Sequence, residues 1–381
     1  MKGEGKDMKL IHLSDLHIGK NVNGYAMLDD QKTIFTQILT IIQDEAPEAV
    51  LLCGDIYDKT TPSAEAMALF DWFLTELAGD GRTVLLISGN HDSAERLTVG
   101  ARLMEKSRVY MAPVYTGTLQ QITLQDQFGP VTFTLLPFLR PAVVRAAWPD
   151  ETVESTSDAV RVALSHCPAA EPGVRQVLLC HQFVSGVSSC DSEEKHIGGL
   201  EAVETELFQP FDYVALGHLH NPQKVGRETV RYCGTPLKYS FSEVHAQKSV
   251  TVVTLEEKGH IQIRTVPLHP RYDMRRLRGS FAELMEQASD DYVQLTLTDE
   301  TEIPNAYNRL REKYAHIMIL EYDNTRTRAQ ADFSHVTSER EKSELELFGE
   351  LFYQQNGRAM SESQQVYMDA LLRELKEGEK T

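Results

Sequence analysis

Five short apolar runs, each ending abruptly in polar residues, constrain the fold of this chain more than any other feature. The runs lie at 9–17, 49–55, 83–92, 176–182 and 212–220. Helical patterns separate the first three runs, with Ile34 and Ile38 at helical spacing in one and Phe70 and Phe73 in the next. Strands that alternate with helices predict an α/β fold with largely parallel pairing.

Later segments predict how the rest of the chain is organised. The runs VTFTLLPF, VRYCG, SVTVVTL and HIQIRTV have no long helices between them, which indicates further strands of a two-sheet sandwich flanked by helices. We predict an N-terminal extension at 1–7, the sandwich domain at 8–268, a small α/β capping module at 269–332 and a helical tail at 333–381.

The charge and the cysteines exclude several classes of protein. Lys and Arg number 38 against 56 Asp and Glu, a net charge of −18. An acidic surface of this kind repels phosphate backbones, so any attraction to DNA needs bound cations or a basic partner. No apolar run is long enough to cross a bilayer, and the first ten residues lack the apolar core of a signal peptide. The five cysteines form no CxxC pair, which suits reduced thiols. We expect a cytoplasmic protein without membrane contact.

The residues with chemical potential lie where the apolar runs end. They are Asp15, His17, Asp55, Asn90, His91, His181, His218 and His220. A single histidine or a single D-x-H pair is weak support for a site, because a lone histidine is more often structural. Open α/β sheets, however, bind ligands at the carboxyl ends of their strands, where loops from several strands meet. Five such pieces in order therefore predict one shared site.

The residue types at these positions indicate a metal centre. Carboxylates, an amide oxygen and imidazoles without thiolates suit Mn²⁺, Fe²⁺ or Zn²⁺, whereas Ca²⁺ takes oxygen ligands alone. The ligands are too many for one ion and sufficient for two if one carboxylate bridges them. Two ions roughly 3.5–4 Å apart can activate a shared water and stabilise both the attacking and the leaving oxygen at phosphorus. The pattern predicts hydrolysis of phosphate esters.

The motifs D-x-H, G-D, G-N-H-D, a lone His and G-H-x-H, in this order, resemble the calcineurin-like metallophosphoesterase superfamily. Further motifs are similar to those of the nuclease subunits that bacteria combine with a coiled-coil ATPase. These are L-S-D-L-H-I-G, G-D-I-Y-D-K-T-T-P-S, F-L-R-P at 138–141 and Y-C-G-T-P-L-K-Y-S-F-S-E at 232–243. The resemblance covers 8–268 well and the later segments in order and size only. One departure is Cys180, because many members of the superfamily have glycine before the lone histidine.

The resemblance also implies roles for the individual residues. One metal ion would be bound by Asp15, His17 and His220. The other would be bound by Asn90, His181 and His218. Asp55 would bridge the two ions, and His91 would face the phosphate, where it stabilises the transition state or protonates the leaving oxygen. The resemblance assigns no acid–base role to Asp58, which stands where other relatives have histidine.

The implied activity is that of a Mn²⁺-dependent DNA exonuclease and endonuclease, which cleaves double-strand ends and hairpins in repair and recombination. The implied partners are DNA, the coiled-coil ATPase and a second copy of the chain within a heterotetramer. One alternative is a small-molecule or protein phosphatase of the same superfamily, which would not need the capping module and tail. Another is an inactive scaffold, which would usually have lost ligands that this chain retains.

Several neighbouring residues have simpler explanations. Cys53 and Cys180 precede candidate ligands but point to the opposite face of their strands, so we expect them to be buried apolar groups. His12 lies inside the first strand and is expected to be structural. Arg271, Arg275, Arg276 and Arg278 form either a solvated linker or a contact to phosphate backbones, and Arg140 is a second candidate for such a contact.

The tail contains two amphipathic helical patterns. Their apolar positions are Leu345, Phe348, Leu351 and Phe352, then Tyr367, Met368, Leu371, Leu372 and Leu375. These faces could fold back onto the capping module. The resemblance implies instead that they grip the base of the coiled coil of the ATPase.

Overall fold

The structure, a computed structural model, describes residues 7–112, 114–169, 171–187, 191, 193 and 202–325. It also describes scattered positions of the tail, namely 348, 349, 352, 360, 361, 363–365, 367, 368 and 371. Residues 1–6 of the predicted extension at 1–7 and the greater part of the predicted helical tail lie outside the described residues.

The strands and helices follow the predicted alternation. The strands are β1 Met8–Leu13, β2 Asn21–Val22, β3 Tyr25–Ala26, β4 Ala49–Cys53, β5 Thr83–Ile87, β6 Val109–Met111, β7 Gln120–Asp126, β8 Gly129–Leu136, β9 Arg175–His181, β10 Tyr213–Gly217, β11 Gln223–Val225, β12 Arg227–Tyr232, β13 Ser249–Leu255, β14 Ile261–Pro267, β15 Met274–Gly279, β16 Ser289–Leu297 and β17 Tyr314–Tyr322. The helices are α1 Leu28–Glu45, α2 Ala64–Leu77, α3 Ala94–Leu97, α4 Ala101–Met104, α5 Pro141–Ala147, α6 Thr156–Ser165, α7 Phe281–Met285 and α8 Ala306–Leu310.

Two six-stranded sheets form the main body, with strand orders β14-β13-β1-β4-β5-β6 and β11-β12-β10-β9-β8-β7. In the first sheet β1, β4, β5 and β6 run parallel, and in the second β12, β10, β9 and β8 do so. The candidate residues therefore follow parallel strands whose carboxyl ends share one edge of each sheet. This arrangement confirms the predicted two-sheet α/β sandwich.

Three buried clusters hold the sandwich together. Between the sheets lie fully buried side chains that include Leu51, Phe133 and Tyr213. On the outer face of the first sheet, Phe35 of α1 stacks on Phe73 of α2 with ring centroids 4.4 Å apart. The second sheet packs against α5 and α6 through another apolar cluster. Strands buried on both faces explain why the runs are continuously apolar rather than alternating.

Three of the four arginines of the predicted cluster lie on a strand, and Arg271 lies in the segment that precedes it. Arg275, Arg276 and Arg278 belong to β15, which pairs in parallel with β16 at the edge of a three-stranded sheet, β15-β16-β17. Arg275 Nε lies 2.5 Å from Asp291 Oδ2. Exposed arginines that pair across an edge strand suit a solvated sheet face.

The chain divides into two compact units. The first comprises 1–297 and 303–321, and the second comprises 298–302 and 322–381. Within the first, Tyr292 of β16 donates a hydrogen bond of 2.8 Å to Asp30 of α1. Within the second, Asn324 donates one of 3.3 Å to the Asp299 carbonyl. The boundaries at 268 and 332 stay predictions. Among the described residues, the helices include none that is long and apolar enough to span a membrane.

Candidate metal centre

The loops that carry the candidate ligands begin where the parallel strands end. Asp15, His17, Asp55 and His218 adopt positive φ angles of 53°, 44°, 47° and 108°. Non-glycine residues in such conformations cost about 1–3 kcal/mol each and persist only where the surroundings impose them. The backbone thus turns sharply after β1, β4 and β10, and the side chains that follow are brought to one place.

Two glycines allow the ends of the strands to approach each other. A Cβ atom at Gly217 would lie 1.9 Å from the Cys53 carbonyl oxygen, and one at Gly89 would lie 2.1 Å from Asp55 Oδ1. Neither distance is compatible with a side chain. Gly217 of G-H-L-H is therefore required by the close contact between strand ends of the two sheets, and Gly89 of G-N-H-D by the contact between the neighbouring ends of β4 and β5.

His181, Asp55 and Asn90 place three metal-binding atoms around one point. His181 Nδ1 donates to the Cys53 carbonyl at 2.7 Å, so its Nε2 is the atom directed at the site. That Nε2 lies 3.0 Å from Asn90 Oδ1 and 3.3 Å from Asp55 Oδ2. His218 Nδ1 is also 3.0 Å from Asn90 Oδ1. Burial alone would lower the pKa of His181, but the Asp55 carboxylate raises it to about 9. A cation would replace the proton on Nε2.

A second group of donor atoms lies beside the first. Ligand atoms of Asp15, His17 and His220 all lie within 4.8 Å of one another. The Nε2 atoms of His17 and His220 face each other at 3.1 Å. Burial lowers the pKa of both imidazoles well below the usual value, so both are neutral, as metal-bound histidines are.

Asp55 stands between the two groups. Its Oδ2 lies 3.3 Å from His181 Nε2 and 3.8 Å from His17 Nε2. Burial alone would raise its pKa, but His181 and the other histidines around it hold that pKa below the usual range. For Asp15 the effect of burial exceeds that of the neighbouring histidine, and it raises the pKa of this carboxyl to about 7.

Two buried polar atoms of the centre have no hydrogen-bond partner among the described residues. They are Asn90 Nδ2 and His17 Nδ1. Buried polar atoms without partners are uncommon in proteins, and the Asn90 Nδ2 amide, which is an N–H donor, calls for an acceptor such as a water or an anion. The donor types, the neutral imidazoles and the shared carboxylate fit divalent cations.

His91 joins the same cluster from the loop after β5. Its ring centroid lies 4.8 Å from that of His17, and its backbone N–H donates to Asp55 Oδ1 at 2.9 Å. Its Nδ1 donates to the Asp58 carbonyl at 2.9 Å. This bond leaves Nε2 as the atom suited to chemistry. Asp58 itself pairs with Lys20 at 2.7 Å. The structure thus brings together all eight residues that the sequence singled out.

Sequence reasoning missed the residues that hold the first loop. Gln31, fully buried on α1, donates to the His17 carbonyl at 2.7 Å and accepts from the Gly19 N–H at 3.0 Å. Tyr239 donates to the Leu16 carbonyl at 2.7 Å. A glutamine on the apolar side of a helix was the one available clue to this role.

A buried ion pair supports the last loop in the same way. Lys248 pairs with Glu243, and both side chains are at most 3% exposed. Lys248 Nζ also donates to the His220 carbonyl at 2.8 Å. Tyr239 and Glu243 belong to the motif at 232–243, whose supporting role the sequence alone does not reveal.

The simpler explanations of neighbouring residues are confirmed. Cys53 and Cys180 are fully buried among apolar side chains. His12 Nε2 donates to the Leu216 carbonyl at 3.2 Å, and its Nδ1 accepts from the Tyr213 hydroxyl at 2.9 Å. Burial lowers the pKa of His12 to about 3, so it is a neutral structural residue.

Known proteins similar to this chain include a nuclease component and a phosphatase. The D subunit of nuclease SbcCD from Staphylococcus epidermidis is 30% identical over 354 residues, which are 91% of this chain and 92% of the relative. A solved structure, a dimetal phosphatase from Danio rerio, is 12% identical with a TM-score of 0.38, and the match covers 69% of this chain and 100% of that one. Residues 270–356 match the family described as type 5 capsule protein repressor C-terminal domain.

More than half of the chain, residues 8–222, matches the family described as calcineurin-like phosphoesterase. That match covers the strand ends and all eight candidate residues. The chain is thus a metal-dependent phosphodiesterase that belongs to the calcineurin-like phosphoesterase family, and within it to the family of the SbcCD nuclease D subunits.

Proposed function

We propose that this protein is a Mn²⁺-dependent DNA exonuclease and endonuclease that acts in the cytoplasm on double-strand ends and hairpins during repair and recombination. The observation that carries the proposal is the two adjacent groups of buried donors around Asp55, in a chain similar over 91% of its length to a nuclease component. A donor set without thiolates is compatible with Mn²⁺.

In this proposal Asp15, His17 and His220 would hold one ion, Asn90, His181 and His218 would hold the other, and Asp55 would contribute to both. The 3.3 Å and 3.8 Å distances from Asp55 Oδ2 to the two groups of imidazoles support the bridging role. When bound there, divalent ions would supply a water of lowered pKa and would neutralise charge on the phosphate.

In this scheme the residues of the protein orient the histidine rings and supply a proton. The Cys53 carbonyl fixes the ring of His181, and the Asp58 carbonyl fixes that of His91. Because Nδ1 of His91 donates to that carbonyl, Nε2 is the nitrogen through which His91 would act on the phosphate or the leaving oxygen as a general acid. Gln31 and Lys248 hold the backbone of the loops that present His17 and His220.

The test compares substrates and metals directly. We expect cleavage of a DNA hairpin and of linear duplex ends with Mn²⁺, and little hydrolysis of a phosphopeptide or a cyclic nucleotide under the same conditions. Preference for either small substrate would indicate another phosphoesterase of the family. A protein that takes up no metal and hydrolyses none of the substrates would indicate a scaffold.

We further propose that the chain acts as a homodimer within a heterotetramer with an SbcC-type coiled-coil ATPase. Its charge of −18 supports the need for a partner that contributes DNA-binding surface. The two apolar faces of the tail are the proposed contact, most of which lies outside the described residues. Ending the chain after Asp332 should abolish co-purification with the ATPase while short oligonucleotides are still cleaved with Mn²⁺. Retained binding by the shortened chain would contradict this role of the tail.

A further inference from the structure

A cleft of about 440 Å³ opens beside the metal centre and extends away from it. Asn90, a proposed ligand, contributes to its lining. The loop after β5 and the first turn of α3 form one wall, and the segment 137–140 with Val143 forms the other. Hereafter we call it the 137–140 cleft. A volume of this size lies within the range of small-molecule sites.

The segment 137–140 is anchored to both sheets. Its Phe138 N–H donates to the Ser88 carbonyl at 2.9 Å, just before the loop that carries Asn90. Gln182, which follows His181, donates to the Leu139 carbonyl at 3.2 Å. The Phe138 ring meets the His181 ring edge to face with centroids 6.3 Å apart. A half-buried aromatic ring is therefore held in a fixed position next to a proposed metal ligand.

Arg140 supplies a cation at the same place. Its side chain is exposed, and its guanidinium lies 5.8 Å from the centroid of the Phe138 ring. Within the described part of the chain it forms no ion pair. On the opposite wall, Arg96 is already engaged, because it donates to the Thr60 carbonyl at 3.0 Å and to the Thr61 hydroxyl. Glu95 on that wall accepts from the Ser93 hydroxyl at 3.0 Å.

We propose that the 137–140 cleft binds one unstacked nucleotide adjacent to the scissile phosphodiester, with the base against Phe138 and a backbone phosphate paired with Arg140. The proposal rests on the proposed nuclease function. Aromatic rings bind bases of any identity through their faces, and guanidinium groups bind phosphate through charge-assisted hydrogen bonds. In an otherwise acidic chain, an arginine that forms no ion pair with the described residues and lies beside a fixed aromatic ring is a combination suited to a single strand.

The cleft therefore selects DNA whose strand is locally unpaired, because a stacked base cannot reach Phe138. Hairpin loops, frayed ends and single strands satisfy this requirement. The interior of a blunt duplex does so only after the base has been unstacked.

The test measures binding of a fluorescein-labelled ten-residue oligothymidylate by anisotropy at several salt concentrations. Arg140→Gln should weaken binding and reduce the slope of log K against log salt by about 0.7, the value for one phosphate contact with a single strand. Phe138→Leu should weaken binding about ten- to hundredfold without changing the slope, because it removes stacking alone. Arg161→Gln, at an exposed arginine of α6, is the matched control and should behave as wild type.

An Arg140→Gln slope equal to that of wild type and of Arg161→Gln would overturn the proposal, as would unchanged affinity in both cleft variants. The exposed position of Arg140 keeps the test informative even if Phe138→Leu fails to fold. Failure of the proposed function is a separate outcome. A wild-type protein that binds the oligothymidylate through Arg140 but does not cleave it with Mn²⁺ would support the cleft and contradict the nuclease.

Discussion

Both ends of the sandwich bury charged groups, but the two ends differ in how these groups are paired. At the amino ends of the parallel strands, buried Arg175 pairs with Asp126 and donates to the carbonyls of Gly129 and Glu256 at 2.8 and 2.9 Å. Asp126 also accepts from the Met8 N–H at 2.9 Å. The protein itself satisfies every charge in this network.

At the carboxyl ends of the parallel strands, the buried polar groups do not all find partners among the described residues. Donor nitrogens and oxygens of several loops converge there, and within the described part of the chain Asn90 Nδ2 and His17 Nδ1 are buried without hydrogen-bond partners. An end completed by its own side chains stabilises the fold, whereas an end that keeps unsatisfied polar groups leaves them available to a ligand. Substitutions at the carboxyl ends should therefore reduce activity, whereas substitutions at the amino ends should reduce stability.

The largest effect is expected for Asp55→Ala. Loss of the carboxylate shared by both groups of donors should reduce kcat/KM for bis-p-nitrophenyl phosphate with Mn²⁺ by at least about 10⁴-fold. Thermal unfolding should still show a cooperative transition, because the three apolar clusters are unchanged. Asp71→Ala, at an exposed carboxylate of α2, is the control. Near wild-type activity in Asp55→Ala would contradict the bridging role.

His91→Ala should reduce the same rate by about 10²–10⁴-fold while the protein still binds metal. The reason is that His91 is proposed to act on the phosphate and not on the ions. Elemental analysis of the purified variant, together with its kinetics, checks both statements. Loss of metal from this variant would make His91 a ligand or a support of the ligands.

At the opposite end, Arg175→Met should lower the free energy of unfolding by about 3–5 kcal/mol, because the Asp126 carboxylate is left buried without its partner. Activity per folded molecule should be retained. Urea unfolding and bis-p-nitrophenyl phosphate hydrolysis measure the two quantities. Equal stability of variant and wild type would show that this end is not a stabilising element.

The same pair predicts a pH dependence. Burial alone would raise the pKa of Asp126, but hydrogen bonds from Arg175 hold it below the usual value. The stabilisation is therefore fully present above the ordinary carboxyl pKa of about 3.9 and is lost as the pH falls through the lower pKa of the folded state. The stability difference between wild type and Arg175→Met should narrow over that acidic range.

The smallest effect is expected from metal addition. Ions that bind only the folded protein should raise its free energy of unfolding by about 2.7 kcal/mol at a concentration 100 times the Kd. Arg175→Met should show the same increment, and Asp55→Ala a much smaller one. Calorimetric melting with and without Mn²⁺ measures these increments, and an equal increment in Asp55→Ala would place the bound metal elsewhere.

Much of this protein could be predicted from its sequence. Apolar runs of strand length, separated by helical patterns, are local features, and each can be recognised from a few consecutive residues. Because parallel strands place their carboxyl ends at a common edge, the same runs predicted that Asp15, Asn90 and His218 would meet. The structure brings these residues together, and His12 and Cys53, which lie within two of the apolar runs, are buried as predicted.

Only the tertiary structure revealed what surrounds the centre. Gln31 contacts Tyr239 across 208 positions, and Lys248 reaches the backbone of His220 from the start of a strand in the other sheet. The 137–140 cleft likewise depends on a hydrogen bond between Phe138 and Ser88. Such contacts join residues that share no local pattern, and the sequence does not distinguish a buried glutamine or lysine from a solvated one. Their positions follow from how the two sheets pack, which no single segment of the chain encodes.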